Sequence, residues 1–490
     1  MRILVLLALV ALAILGARPA LAASFIDELV PNEQGFEGAV EVVDAVVDGE
    51  YGVVTVRVPY LNMEGQSAAG LARMIVHQSA IASGAPLPAF CHVHYEKDAD
   101  GAKFWADRGW AVFTSHYDEA HPIDVSTGHS YNQTLATLQW VRRLPFIDRT
   151  RLHIDGGSQG GYMALAMASE IFPVAATTAD CPVVNWAYNF AYFEANRAIS
   201  GAPNPDPKAC PLPIMAGVLF LGDMTYTHFG DDLSDETWYH VSPLSYLDRI
   251  SGPVLVTAAT GDMLVPHEQF TRRYPRPVDP ERFPEGYTRD FDAVTACAPA
   301  RKTIEEALPA DRLAIQVVPL PEEAQEISIA NLTGDEPMPD SPPYLDRPWS
   351  KDHQWTLLLI DEGPAAPQAG HFTHRWDTLP LAFTDHYRTA PPSPDILNPG
   401  KLDRLMQRYA GELEDRARLK SGAPAMRRNF AALDRLDVLT GLLDYAELGA
   451  DHAARLTELY AAGRRTPFGP ELDLAALRAL RQELIEALHP

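Results

Sequence analysis

The chain has 490 residues, with 65 acidic against 40 basic side chains and a formal net charge of −25. Apolar residues make up 47% and charged residues 21%, a balance that excludes wholesale disorder and supplies ample chain for a large buried core. So acidic a chain lacks the Lys/Arg density that phosphate binding draws on, which excludes nucleic acid as its main partner.

Met1-Arg2 precedes an unbroken apolar run, Ile3 to Leu15, which Arg18-Pro19 ends before Ala20-Leu21-Ala22. A basic start, a short apolar core and an A-x-A site predict a signal peptide over residues 1–22, cleaved after Ala22. A retained membrane anchor is the competing reading, but the run is shorter than the roughly 20 residues that span a bilayer. No later segment is long and apolar enough to span one. The expectation is an exported protein, periplasmic or extracellular. Export permits disulfides. Of Cys91, Cys181, Cys210 and Cys297, the first reads as a core thiol in a strand, and Cys181 and Cys210 are candidates for one bridge. Asn132-Gln133-Thr134 and Asn331-Leu332-Thr333 would be glycan acceptors on a eukaryotic secretory route.

Residues 39–48 and 52–60 are β-rich and are joined by Gly49-Glu50-Tyr51, which predicts an N-terminal hairpin. From Leu87 strands and helices alternate. PAFCHVHY reads as a strand and GAKFWADRG as a helix, WAVFTSHYD as a strand and YNQTLATLQWVRRL as a helix. RLHIDGG is again a strand and SQGGYMALAMASEIF a helix. PVAATTAD, PVLVTAAT and QWTLLLID are further apolar strands. This alternation predicts a mostly parallel, doubly wound sheet covered by helices on both faces. Residues 266–350 hold 14 of the 41 prolines and read as an insertion before the last strand, irregular except for a helix at 300–308 and a strand at 313–319. Residues 396–490 carry leucines at helical spacing and predict a C-terminal helical region; the main domain covers 23–395.

Gly156-Gly157-Ser158-Gln159-Gly160-Gly161 lies between the strand RLHID and the helix YMALAMA. It satisfies G-x-S-x-G, and a serine at a strand-to-helix turn is held in a strained conformation with its hydroxyl raised above the sheet edge. Ser158 is therefore the candidate nucleophile and Gly156 and Gly160 the glycines of its elbow. The Gln159 N–H, at the start of the helix, is a candidate oxyanion donor. A serine nucleophile needs a base, and the base needs an orienting carboxylate. Asp262 follows the strand PVLVTAAT and His371 follows QWTLLLID, so both stand at carboxyl ends of strands in the order Ser, Asp, His. His374 is the rival base and Asp361 the weaker rival acid.

QWVRRLPFIDRTRLHIDGGSQGGYMALAMA, SPLSYLDRISGPVLVTAATGDMLVP and AGHF together resemble the catalytic domain of prolyl-oligopeptidase-type serine hydrolases, within the α/β-hydrolase superfamily. Acetyl-xylan-esterase-like and dienelactone-hydrolase-like members are similar in the same segments. The resemblance covers roughly residues 86–265 and 354–385. It implies an α/β-hydrolase fold, Ser158 as nucleophile, Asp262 as acid and His371 as base, and it implies Tyr95 as an oxyanion contributor. The glycines usual after that position are replaced by Glu96-Lys97-Asp98. Two more departures bear on the substrate. Only about 60 residues precede the hydrolase strands, too few for the β-propeller of prolyl oligopeptidases, and 109 positions separate Asp262 from His371. The expected enzyme cleaves an ester or a peptide bond of a small substrate, with the ester favoured, and needs no cofactor.

Two other readings compete. His92-Val93-His94 would place both imidazoles on one strand face, a spacing seen in metal sites, but no H-x-H-x-D-H or H-E-x-x-H set completes it, and no metal is expected. Asp231, Asp232, Asp235 and Glu236 match a calcium loop only loosely and read as a solvated acidic loop. A non-catalytic binding protein on a hydrolase fold is the alternative from another class, and it leaves the three filled triad positions without a purpose. Removing residues 1–22 leaves −27, and residues 401–490 are neutral with 14 basic and 14 acidic side chains. The excess charge thus lies on the hydrolase body, which favours neutral or cationic substrates.

Overall fold

In this computed structural model the described residues are 34–35, 38–61, 67–117, 127–142, 144–171, 174–196, 232–247, 250, 252–262, 264–274, 288–295, 299–319, 349–361, 381–390, 464–466, 469–471 and 479. The expected signal peptide and nearly all of the expected C-terminal helical region lie outside them, as do Cys210, Cys297 and Asn331.

Ten strands form the main sheet: β1 (Glu41–Asp48), β2 (Tyr51–Leu61), β3 (Ser67–His77), β4 (Leu87–His92), β5 (Ala111–Ser115), β6 (Ile147–Gly157), β7 (Ala176–Asp180), β8 (Val254–Ala259), β9 (Leu313–Pro319) and β10 (Trp355–Asp361). Their spatial order is β9-β10-β8-β7-β6-β4-β5-β3-β2-β1. The pairs from β9 to β5 are parallel, and those joining β5, β3, β2 and β1 are antiparallel. Helices α1 (Ala99–Ala106), α2 (Thr127–Val141), α3 (Gln159–Glu170), α4 (Trp186–Ala195) and α5 (Leu381–Thr389) accompany the sheet.

The pattern of burial explains the layering. β4, β7 and β8 are buried at every position, as central strands covered on both faces must be. Successive residues then enter opposite cores. Ala89 and Cys91 pack in the large core that also holds residues of α2, α3 and α4, while Phe90 between them joins Trp105 and Trp110 on the α1 side. Phe90 stacks on Trp105 at 4.5 Å and on His153 at 5.3 Å. By contrast β1 is exposed along nearly its whole length and closes the sheet edge. This is the mostly parallel, doubly wound sheet expected from the alternating elements, in keeping with the α/β-hydrolase fold that the resemblance implies.

The predicted hairpin is present, with Gly49 at φ 64° in its two-residue turn. It extends further than the sequence pattern indicates, because β3 adds a third antiparallel strand whose run SAAGLARMIVH lacks clean alternation. β9 belongs to the proline-rich segment yet pairs in parallel with β10 as the edge strand, so part of the insertion is built into the sheet. The described residues bear on three expectations about side chains. Cys91 is a buried thiol, as expected, and its burial raises its pKa. Cys181 is also buried, and Cys210, its candidate bridge partner, lies outside the described residues. Asn132 is 3% exposed within α2 and cannot accept a glycan on the folded protein.

His153 is completely buried, and burial pushes its pKa down to about 4. An unfolded histidine titrates near 6.5, so between those values the unfolded chain binds the extra proton and folding weakens as the pH falls. The stabilisation is intact above pH 6.5 and declines by about 1.4 kcal/mol per pH unit for such a group. Thermal unfolding followed from pH 7 to pH 4 should therefore show a falling Tm, with a shallower fall in His153→Phe. Equal slopes for the two proteins would contradict a neutral buried His153.

Candidate active site

Following β4 the chain moves outward to β5, then returns past β4 to place β6 on its other side. Between β4 and β6 the connections diverge, and in open α/β sheets the crevice at such a point, beyond the carboxyl ends of the strands, is where ligands bind. Ser158 follows β6 and Tyr95 follows β4, so both stand at this switch point.

Ser158 has φ 55° and ψ −121°, a conformation that L-residues rarely adopt and that strains the backbone. The strain is imposed by the tight passage from β6 into α3. A Cβ on Gly156 would fall on the carbonyl oxygen of Gly160. One on Gly160 would lie 2.9 Å from the Val93 carbonyl oxygen, and one on Gly161 2.7 Å from that of Asp180. Gly156 and Gly160 have no room for a side chain, and Gly161, outside the G-x-S-x-G pattern, is crowded in the same way. The Ser158 N–H donates to the Asp180 carbonyl at 2.8 Å and the Ser158 carbonyl accepts from Tyr162 at 3.0 Å. The seryl residue is thereby fixed on both sides at the N-terminus of α3, where the first N–H groups, Gln159 included, have no acceptor within the helix. Negative charge is favoured there.

The segment Val93–Tyr95 closes over this helix start. Tyr95 is partly accessible, and its phenol is held protonated by burial, which pushes its pKa up to about 12; a hydrogen-bonding interaction with Ser158 pulls the other way. Tyr95, which the resemblance implies, thus lies beside the start of α3 that carries Ser158. His92 and His94 do not occupy one strand face, because β4 ends at His92 and His94 lies in a turn at φ 71°. Each imidazole has its own partner. His92 Nδ1 is 2.7 Å from Asp155 Oδ2, and His94 Nδ1 is 2.6 Å from Ser130 Oγ.

Beneath Ser158 a buried polar chain crosses three strands. Thr178 donates to Asp155 Oδ1 at 2.5 Å, which leaves its oxygen to accept from His153 Nε2 at 3.0 Å. His92, Asp155 and Thr178 are register neighbours on β4, β6 and β7, so the chain ties these strands together just below the elbow. Nothing local in the sequence marks this set.

Asp262 is fully buried beyond β8, and its Oδ1 accepts from the Leu264 and Val265 N–H groups at 2.8 and 3.0 Å. Its carbonyl accepts from Arg289 at 3.1 Å, and Arg289 is itself buried against Glu268 at 3.2 Å. Asn189 of α4 donates to the Leu264 carbonyl, and Gln269 bridges Asn189 to the N–H groups of Val184 and Asn185. The insertion therefore supplies the mount of the Asp262 loop. The rival Asp361 ends β10 and accepts from Thr260 at 3.3 Å. His371 and His374 lie outside the described residues. Asp232 accepts from the Ser234 N–H and hydroxyl in a local turn; Asp231 is outside the described residues.

Residues 125–209 match the model of the prolyl oligopeptidase family, and they carry α2, β6, Ser158 and α3. The chain is a serine hydrolase. Over that segment it is prolyl-oligopeptidase-like. The hydrolase is also similar in structure to the acetyl xylan esterase of Paenibacillus sp. R4, at 16% identity and TM-score 0.33, covering 46% of this chain and 75% of that one. Acetyl xylan esterase 1 of Thermoanaerobacterium sp. JW/SL YS485 shows 16% identity and TM-score 0.34, with 50% and 78% covered. The acylaminoacyl peptidase of Pyrococcus horikoshii shows 15% and 0.32, with 46% and 41% covered. No curated protein matches the chain.

The contact at Gly161 yields a direct test of the elbow. Gly161→Ala should destabilise the hydrolase by about 1–3 kcal/mol, since the added methyl meets backbone that cannot move freely. Denaturant unfolding measures it, and a change below about 0.5 kcal/mol would show that the elbow has room for a side chain.

Proposed function

We propose that this hydrolase cleaves carboxylic esters through an acyl-enzyme on Ser158. The observation that carries the reading is the Ser158 backbone, strained at φ 55° between β6 and the N-terminus of α3. Ser158 Oγ attacks the carbonyl carbon and its proton passes to His371. The oxyanion that forms accepts from the Gln159 N–H and the Tyr95 hydroxyl. Collapse expels the alcohol, which takes the proton from His371. Water, deprotonated by the same histidine, then releases the acid and restores Ser158. Asp262 orients His371; its buried, doubly hydrogen-bonded carboxylate supports that assignment.

A peptide bond would pass through the same steps with an amine leaving. The ester is favoured because residues 41–77, ahead of the first parallel strand, extend the sheet sideways as β1–β3 and leave its carboxyl edge to other segments. The net negative charge of the body, −27 over residues 23–400, favours neutral or cationic substrates. Residues 1–22 are read as an export signal, so the mature protein begins at Ala23 in the periplasm or outside the cell.

A fluorophosphonate probe should label the wild type and leave Ser158→Ala unlabelled, and chelators should change nothing. Turnover of p-nitrophenyl acetate should fall at least about 10³-fold in Ser158→Ala. Cleavage of a Pro-p-nitroanilide peptide without turnover of the ester would replace the esterase with a peptidase. A wild type that neither labels nor turns over either substrate would be a binding protein on this fold.

A further inference from the structure

The segment after β4 carries a strained residue that the proposed chemistry does not use. The Tyr95 N–H donates to the Val93 carbonyl at 2.9 Å, which makes a three-residue turn with His94 at its apex. At φ 71° this is the γ-turn of the rarer, strained hand, a position where glycine would sit without conflict. His94 is 2% exposed, and its side chain makes specific contacts. Nδ1 lies 2.6 Å from the buried Ser130 hydroxyl of α2. The ring meets the Tyr95 ring edge-on, with centroids 4.4 Å apart. Among the described residues Nε2 is buried without a hydrogen-bond partner, an arrangement that is normally selected against. The turn rests on α3: a Cβ on Gly160 would lie 2.9 Å from the Val93 carbonyl oxygen, 3.3 Å from Tyr95 Cδ2 and 3.6 Å from His94 Cβ.

We propose that His94 is a positioning residue: its ring, anchored on Ser130, holds the strained turn that sets the Tyr95 phenol against Ser158. The inference rests on the reading of Tyr95 as an oxyanion donor. The turn lies on the α3 backbone and is pinned to α2 through Ser130, so the backbone from which the Tyr95 phenol projects is fixed. Oxyanion stabilisation depends on donors that do not reorganise during reaction. A histidine serves where glycine would relax the turn, because the imidazole connects two elements that glycine could not reach. Burial pushes its pKa down to about 3, so the ring is neutral and brings no charge beside Tyr95.

A double-mutant cycle on p-nitrophenyl acetate tests this. Tyr95→Phe should lower kcat roughly 10- to 1000-fold, the range for loss of one oxyanion donor. His94→Gly should lower kcat about tenfold or more with KM within about threefold, and should have no further effect in the Tyr95→Phe background. His94→Asn, whose amide nitrogen can take the place of Nδ1 and which tolerates positive φ, should recover part of the loss. Ser130→Ala should reproduce the same non-additivity and serves in place of His94→Gly if that variant does not fold. Equal losses in both backgrounds, or an unchanged kcat in His94→Gly, would overturn the proposal. Full activity in Tyr95→Phe alone would instead remove the oxyanion reading on which it rests.

Discussion

The start of α3 can lie against the carboxyl ends of β4, β6 and β7 only because Gly156, Gly160 and Gly161 leave no side chain in between. Everything at the switch point depends on that close approach. It forces Ser158 into its strained conformation, brings the Asp180 carbonyl onto the Ser158 N–H, and provides the surface on which Val93–Tyr95 lies. One added methyl at any of the three would push helix and strands apart and relax the turn that raises the seryl hydroxyl.

Two buried polar systems hold this geometry from below and from the side. The chain His92–Asp155–Thr178–His153 joins the three strands that converge under Ser158. The second system, Arg289, Glu268, Gln269 and Asn189, joins the Asp262 loop to α4. Charged and amide groups in an apolar interior persist only when their partners satisfy them, and a satisfied network admits few alternative arrangements. Both systems exchange hydrophobic packing for rigidity near the site, which is where an enzyme gains from groups that do not reorganise.

The proline-rich segment acquires a structural purpose from the second system. Its strand β9 completes the sheet edge, and Arg289 reaches back to the Asp262 carbonyl. The long separation between Asp262 and β10 is therefore occupied in part by chain that supports the Asp262 loop.

The sequence by itself determined the parallel sheet and the place of Ser158, because alternating apolar runs and a glycine-rich strand-to-helix turn are local signals. It also placed Asp262 at the end of a buried strand, and the resemblance of its motifs singled out Tyr95. Tertiary structure decided what depends on residues distant in the chain. β3 has no alternating pattern and exists because β2 and β5 offer it partners. Gly161 lies outside the motif and is required by the Asp180 carbonyl of the neighbouring strand. His92 and His94 read as one strand face, yet β4 stops between them and sends their rings to Asp155 and Ser130. The division follows range: periodicity and turn chemistry act within a few residues, whereas close approach and buried pairing arise only when distant segments meet.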